Sequence, residues 1–391
     1  MSNIDRKMVT IRKVSNLVPI PGADKIEVAQ VDGWQCVVKR GEFAPGDYCL
    51  YFEIDSCLPA DDQRFSFLKD TKLFRGERRP VLRTIKLRGQ ISQGLALPLS
   101  LFPEIEKHRK WWSFINISDT VELAYKLQAP LDKVLRVDKY EKEEPVKEPG
   151  WFSQFKFIPK SWKTWFFNKI YRKVKRGRLQ STFPSFIPRT DQNRIQNCYT
   201  ELVAGPNEEY EVSTKLDGSS MTFWAHEDKF GFASRNQKLG LGDGSNFEKV
   251  VLKHSLQTKF LYYCQLRNLS YALQGELLGP GIQGNFEQQE DFDFFLFDIY
   301  DIVGKKYLSP AERRIFLIEY NETTQSSIKH TPIKGVYKLS QYKSLEEVLA
   351  SADGPGMNTP FREGDVWKSL TSETSFKVIS NKYLLKKKDV E

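Results

Sequence analysis

Ser213-Thr214-Lys215-Leu216-Asp217-Gly218-Ser219-Ser220 decides how this chain is read. Tyr210–Thr214 before it and Ser220–Ala225 after it have the β-branched and aromatic content of strands, so Lys-Leu-Asp-Gly sits on a strand-to-turn edge. Four residues are a short pattern. Asp-Gly between two strands is also the ordinary mark of a hairpin turn, and on that reading Lys215 and Asp217 are surface residues. Five stretches downstream raise the pattern above a turn. Ser234-Arg235-Asn236 lies twenty residues after the lysine. Then come Gln274-Gly275-Glu276-Leu277-Leu278-Gly279-Pro280-Gly281-Ile282-Gln283 and Phe294-Phe295-Leu296-Phe297-Asp298-Ile299. Arg362-Glu363-Gly364-Asp365-Val366 and Ser375-Phe376-Lys377-Val378-Ile379-Ser380 complete the series. From about Phe183 onward the pattern is mixed α and β, and predicted strands such as Phe230–Ser234, Tyr271–Glu276 and Phe294–Tyr300 carry these stretches.

Upstream, residues 8 to about 100 read as short strands: Met8–Lys13, Ile26–Val31, Gln35–Lys39, Tyr48–Ile54 and Thr84–Leu87. Pro21-Gly22-Ala23-Asp24, Asp32-Gly33, Pro45-Gly46-Asp47 and Arg88-Gly89 punctuate them, the spacing of a small β-barrel. Residues 137 to 150 are charged and contain Pro145 and Pro149, as linkers do. Between Pro149 and Thr190 there are ten Lys or Arg and no Asp or Glu. The whole chain of 391 residues carries +9, from 59 basic and 50 acidic residues, so outside that band 49 cations face 50 anions. The basicity is therefore local, as in an element that faces a polyanion. From Trp151 to Arg178 the cations alternate with nine aromatics, and Trp162, Trp165, Phe166 and Ile170 keep helical spacing. Three readings stay open for this band: a phosphate-tracking surface with bases stacked on aromatics, a helix on an anionic membrane, or a helix that packs two domains together.

Composition excludes several classes. Hydrophobic residues make up 40% and charged residues 28%, an ordinary globular balance. No apolar run approaches the ~20 residues of a membrane span, and Met-Ser-Asn-Ile-Asp-Arg-Lys has no signal core behind it, so a cytoplasmic or nuclear protein, not a secreted or membrane one, is expected. Five cysteines without a Cys-x-x-Cys pair, and four histidines without zinc spacing, argue against a disulfide framework or a zinc site.

Two resemblances organise these residues. Val18-Pro19-Ile20-Pro21-Gly22-Ala23-Asp24-Lys25-Ile26-Glu27, with Val31-Asp32-Gly33-Trp34 and Lys86-Leu87-Arg88-Gly89-Gln90-Ile91-Ser92-Gln93-Gly94-Leu95, resembles the tRNA-binding OB domains attached to some synthetases. Such a barrel either contacts nucleic acid, with Lys86 and Arg88 as candidates, or braces its neighbour. The later stretches resemble, in order and spacing, motifs I, Ia, III, IIIa, IV and V of the covalent nucleotidyltransferases. Gly275-Glu276-Leu277-Leu278-Gly279-Pro280-Gly281-Ile282-Gln283 and Phe183-Pro184-Ser185-Phe186-Ile187-Pro188-Arg189-Thr190-Asp191 look like the RNA-ligase version. The chain thus resembles the branch of ATP-dependent RNA ligases, joining 3′-OH and 5′-phosphate ends, that has an N-terminal OB domain and a C-terminal catalytic domain.

That resemblance implies an α+β chain: an OB-like β-barrel over 1–136, a linker and basic-aromatic segment over 137–180, and an ATP-grasp-like, antiparallel-sheet nucleotidyltransferase domain over 181–391. It implies ATP as substrate, Mg²⁺ or Mn²⁺ as cofactor, broken or nicked RNA as partner, a role in RNA repair, and a monomer. Lys215 is then the nucleophile. Asp217, Glu276 and Glu363 are the carboxylates that face the metal. Arg235 and Lys377 give fixed charge to the nucleotide phosphates, Phe297 stacks on adenine, and Thr214 lines the ATP site. Lys169, Arg172, Lys173 and Arg176 are expected to contact RNA if the basic band does. Two positions depart from relatives: Ile379 stands where several carry a second motif V lysine, with Lys382 as a possible substitute, and Ser220 stands where some carry Asn. DNA ligases and capping guanylyltransferases place an OB domain after motif V; eleven residues follow Ser380 here, so those rivals are the less expected readings, as is a catalytically inactive RNA-binding relative, since Lys215 and all three carboxylates are present.

Overall fold

Trp34, Cys36 and Val38 point inward along Trp34–Lys39 while Lys39 faces solvent, the two-residue period of a strand laid on a core. A computed structural model describes residues 6–105, 120–127, 129–140, 182–242 and 244–386. Two compact units are present, one within Asp5–Glu143 and one within Glu144–Tyr383. The band from Trp151 to Arg178, and with it Lys169, Arg172, Lys173 and Arg176, lies outside the described residues.

The first unit contains β1 (Val9–Pro19), β2 (Ile26–Val31), β3 (Trp34–Lys39), β4 (Tyr48–Phe52), β5 (Thr71–Phe74), β6 (Glu77–Pro80), β7 (Thr84–Leu87), β8 (Gln90–Gln93) and β9 (Leu95–Pro98). Five of them form one antiparallel sheet in the order β9-β4-β1-β2-β3. β1 runs past its expected end at Lys13. A bulge between Val14 and Asn16 hands the strand from β4 to β2, and the polar Ser15 and Asn16 that break the alternation lie at this shift. The hairpins β2–β3, β5–β6 and β7–β8 turn on Asp32-Gly33, Arg75-Gly76 and Arg88-Gly89, with positive φ at both residues of each pair. Such primed turns match strand twist, and the last leaves Lys86 and Arg88 exposed on its hairpin. Asp138 and Lys139 pair with Cys57 and Ser56, and Arg79 meets Asp138 at 2.6 Å. The chain therefore stays in this unit beyond the boundary expected at residue 136: a charge that reads as linker is an ion-pair partner.

The second unit contains β10 (Glu209–Lys215), β11 (Ser219–His226), β12 (Lys229–Ser234), α1 (Asn246–Lys253), α2 (Leu256–Arg267), β13 (Tyr271–Leu278), β14 (Asp293–Asp301), α3 (Pro310–Thr324), β15 (Ile333–Lys338), α4 (Leu345–Ser351), β16 (Gly364–Ser369), β17 (Ser375–Ile379) and the first turn of α5 (Asn381–Lys386). They build two sheets. One has the order β17-β16-β10-β15, extended beyond β17 by the short parallel strand Asn193–Arg194. The other runs β12-β11-β13-β14, with short strands at both edges. Phe223, Leu273, Phe294 and Leu296 of the second sheet bury against Phe260 and Tyr263 of α2 and Phe316 and Tyr320 of α3. Val212, Trp367, Phe376 and Val378 of the first pack with Val348 and Leu349 of α4. Helix α3 starts on a capping box, Ser309 with Glu312, and has Pro310 in its first turn. No helix among the described residues is long and apolar enough to cross a membrane.

Candidate active site

β10 ends at Lys215, opposite Gly364 at the start of β16. The chain then leaves that sheet, and β11 begins at Ser219 in the other, between β12 and β13. The Asp-Gly pair is thus a crossing between sheets, not a hairpin turn, and Asp217 is only 7% exposed. Gly218 makes the crossing possible, since a Cβ there would lie 2.5 Å from the Leu277 carbonyl oxygen. Glu276 comes from β13, beside Ser220 on one side and Phe295 on the other. Glu363 immediately precedes β16.

These residues form one charge cluster. Lys215 Nζ donates to Glu363 Oε2 at 2.7 Å. Burial alone would favour the neutral amine, but Glu363, then Glu276 and Asp217, outweigh it and hold the Lys215 amine above its ordinary value. Burial pushes Glu276 up to about 8 against the pull of Lys215, helped by the Glu363 and Asp217 charges. Behind Asp217, Tyr383 Oη donates to Asp217 Oδ2 at 2.6 Å. Glu287 is 1% exposed, accepts from the Met357 N–H at 3.2 Å, and is pushed up to about 7, chiefly by burial.

Phe297 is half-buried on β14, above a layer of buried charge. Lys368 donates to the Phe297 carbonyl at 2.5 Å, stands 5.3 Å from its ring centroid and meets Asp298 at 2.6 Å. Arg313, from α3, lies 3.6 Å from Asp298, donates to His330 Nε2 at 2.9 Å and donates to Glu211. Sequence reasoning singled out none of Asp298, Lys368, Arg313, Glu287 or Tyr383. A signal existed for two: Asp298 interrupts the apolar run Phe294–Ile299 and Lys368 directly follows Val366-Trp367, and a buried charge needs a partner.

Lys377 is half-buried on β17, between Val366 of β16 and Arg194. Thr214 is buried and donates its N–H to the Pro332 carbonyl at 2.8 Å. Arg235 follows β12 and pairs with Asp191 at 2.5 Å, both side chains well exposed. Ser220 and Thr190 share a hydrogen bond of 3.3 Å. Ile379 is buried opposite Gly364, and Lys382 Nζ lies 3.6 Å from Asp353. Lys86 and Arg88 belong to the first unit.

Two family models match the chain: an OB-fold domain over residues 8–99 and an RNA ligase over residues 208–383. A mutant RNA ligase of Naegleria gruberi solved with AMP and Mn is 36% identical, with 98% of this chain and 100% of that one aligned at a TM-score of 0.76. The chain belongs to the RNA ligase family. The same Naegleria ligase solved with PPi is 37% identical over 98% of this ligase and 99% of that chain, at a TM-score of 0.75. Another mutant, solved with ATP and Mn, is 36% identical over 98% and 100%, at 0.76. Comparison with curated proteins gives no match. This ligase is thus an α+β protein with an OB fold followed by an antiparallel-sheet domain, and that second domain holds the cluster around Lys215.

Proposed function

We propose that this ligase uses ATP to join an RNA 3′-OH to an RNA 5′-phosphate by way of a lysyl-AMP on Lys215. The observation that carries the reading is the enclosure of the Lys215 amine by Glu363, Glu276 and Asp217 at a strand end, with Glu363 at 2.7 Å. The ATP, AMP and PPi present with the Naegleria ligase support it.

Three transfers make up the reaction. The Lys215 lone pair attacks the α-phosphorus of ATP, a P–N bond forms, and pyrophosphate leaves. An oxygen of the RNA 5′-phosphate then attacks the same phosphorus, giving a 5′–5′ pyrophosphate and freeing Lys215. Finally the 3′-OH attacks the RNA phosphate, a phosphodiester forms and AMP leaves. Lys377 and Arg235 offset charge on the nucleotide phosphates; for Arg235 this means exchanging Asp191 for the nucleotide. The Phe297 ring stacks on adenine, with Thr214 nearby and the Lys368 contact fixing the strand beneath.

Three carboxylates against one ammonium leave the cluster short of positive charge, and the surplus helps push Glu276 up to about 8. That donor set fits a divalent cation. Among the described residues no three His, Cys, Asp or Glu side chains form a direct metal cage, so Asp217, Glu276 and Glu363 are proposed to hold the ion through its own waters, which suits Mg²⁺. Bound there, Mg²⁺ or Mn²⁺ supplies the charge that makes loss of the Lys215 proton feasible near neutral pH and offsets charge on the α-phosphate.

Broken or nicked RNA is the proposed substrate, RNA repair the role, and a monomer the working form. Incubation with α-³²P-ATP tests the chemistry: label should stay on the protein, at Lys215, and GTP should not replace ATP. Lys215→Ala should take no label yet still seal a pre-adenylylated strand. A labelled Lys215→Ala protein would overturn the assignment.

A further inference from the structure

The carboxylate of Asp217 is held from a place 166 residues further along the chain. Tyr383 is 3% exposed, and its hydroxyl donates to Asp217 Oδ2 at 2.6 Å. A phenol is a donor at neutral pH, and a carboxylate is acceptor only, so the bond has one direction. The ring that carries the hydroxyl is itself fixed. It stands edge-on to Phe286, with centroids 5.1 Å apart and planes at 89°, and Phe286 in turn meets Phe361 at 5.3 Å. The backbone is fixed as well. The Tyr383 N–H donates to Ser380 Oγ at 3.1 Å, and Ser380 Oγ donates to Asp353 Oδ1 at 2.6 Å. The Ser380 N–H donates to the Glu363 carbonyl at 2.9 Å. One turn of chain after β17 therefore touches two of the three clustered acids: the main chain of Glu363 and the side chain of Asp217.

We propose that Tyr383 is a positioning residue for Asp217: its hydroxyl fixes the carboxylate's rotation, so that the remaining lone pairs meet a hydrated divalent ion in one orientation. The inference rests on the reading of Asp217 as a metal-facing group. Groups that hydrogen-bond a metal's direct ligands typically alter metal affinity or activity about 10–100-fold when removed; Asp217, which faces the ion through water, is such a group, and Tyr383 acts one step behind it, so its effect belongs at the low end of that range. Tyr383 is not expected to touch ATP, RNA or the reacting phosphorus, so its effect should appear in metal affinity before it appears in the chemical step.

The test compares the full chain with Tyr383→Phe, which keeps the ring against Phe286 and deletes one O–H. Mn²⁺ is titrated into each in the presence of ATP, in a Lys215→Ala background that cannot turn over, and free ion is followed by its EPR signal. The expected result is Mn²⁺ affinity lower by about 10-fold in Tyr383→Phe. With Lys215 restored, the Mn²⁺ needed for half-maximal labelling should rise by a similar factor, while the rate at saturating Mn²⁺ stays within about threefold. In an Asp217→Asn background Tyr383→Phe should add no further loss. Equal Mn²⁺ affinity in parent and Tyr383→Phe, or a fully additive loss with Asp217→Asn, overturns the inference and leaves the ligase reading standing. A parent chain that takes up no Mn²⁺ overturns both. Should Tyr383→Phe fail to fold, Ser380→Ala replaces it: loosening the turn should also weaken Mn²⁺ binding, and unchanged binding there counts equally against the proposal.

Discussion

A lysine that is to attack phosphorus cannot keep its proton, and Lys215 sits among three carboxylates that hold one on it. Without added positive charge the amine stays protonated throughout the neutral range. Adduct formation in EDTA is therefore expected to be negligible at neutral pH, and rising Mn²⁺ should move the pH profile of labelling to lower pH. A metal-independent adduct at pH 7.5, measured with α-³²P-ATP, would contradict this. Glu363 is the direct partner of the amine at 2.7 Å. Glu363→Gln should cost roughly 10²-fold or more in labelling rate, the scale of losing one charge-stabilising group. Because it also removes the strongest hold on the proton, what activity remains should appear at lower pH than in the parent. A loss under threefold, or a profile moved to higher pH, would show that Glu363 is not the group that sets the state of the lysine.

At the scale of single elements, the crossing from β10 to β11 depends on a glycine. A Cβ at Gly218 would lie 2.5 Å from both the Leu277 carbonyl oxygen and a Leu278 methyl. Gly218→Ala should therefore displace the crossing that carries Asp217, at a cost of about 1–3 kcal/mol by overpacking, together with a large loss of labelling. A urea midpoint and a labelling rate both equal to the parent's would refute the close-approach account. The layer beneath Phe297 has its own signature. Arg313 donates to His330 Nε2 at 2.9 Å, and the His330 Nδ1–H donates to the Thr331 carbonyl at 2.6 Å, an arrangement that only the neutral ring permits. Burial, then the Arg313 charge, brings His330 down to about 3, against about 6.5 in an unfolded chain. Between those values the unfolded chain binds a proton that the folded one does not. The stabilisation is complete above about pH 6.5 and declines as pH falls toward 3, with a slope of up to about 1.4 kcal/mol per pH unit. His330→Gln keeps an acceptor for Arg313 and removes the titration, so urea-unfolding free energies measured from pH 6.5 to 4.5 should fall less steeply than in the parent.

At the scale of the whole chain, the excess positive charge lies in a stretch of sequence separate from the motifs that carry the chemistry. Ten cations and no acid lie between Pro149 and Thr190, whereas the Lys215 cluster is rich in acids. If the band holds RNA, log K against log salt should carry a slope of about −0.7 per phosphate contacted on a single strand. Charge reversal at Lys169, Arg172, Lys173, Lys175 and Arg176 should weaken RNA binding and flatten that slope, while labelling of Lys215 by ATP stays nearly intact. A folded charge-reversed protein with unchanged affinity and slope would favour the domain-packing reading of Trp162 and Trp165. Reversing Lys86 and Arg88 in the first unit asks the same question of the OB surface.

Sequence alone determined what is local. Runs rich in β-branched and aromatic residues marked the longer strands of both units, and in the first unit Asp32-Gly33 and Arg88-Gly89 marked turns between them, because strand pleat and turn dihedrals are settled within a few residues. The candidates Lys215, Asp217, Arg235, Glu276, Phe297, Glu363 and Lys377 were drawn from the same kind of signal: each sits in a short pattern that can be read without its partners. Tertiary structure alone decided which of these groups meet. Asp-Gly after Lys215 has the letters of a hairpin, yet β10 and β11 lie in different sheets. The partner of the Lys215 amine is 148 residues away and the hydroxyl on Asp217 is 166 residues away. Strand order and register bring those atoms within 3 Å of each other, and both are set by burial summed over the two sheets and their helices, a quantity no short stretch of chain contains.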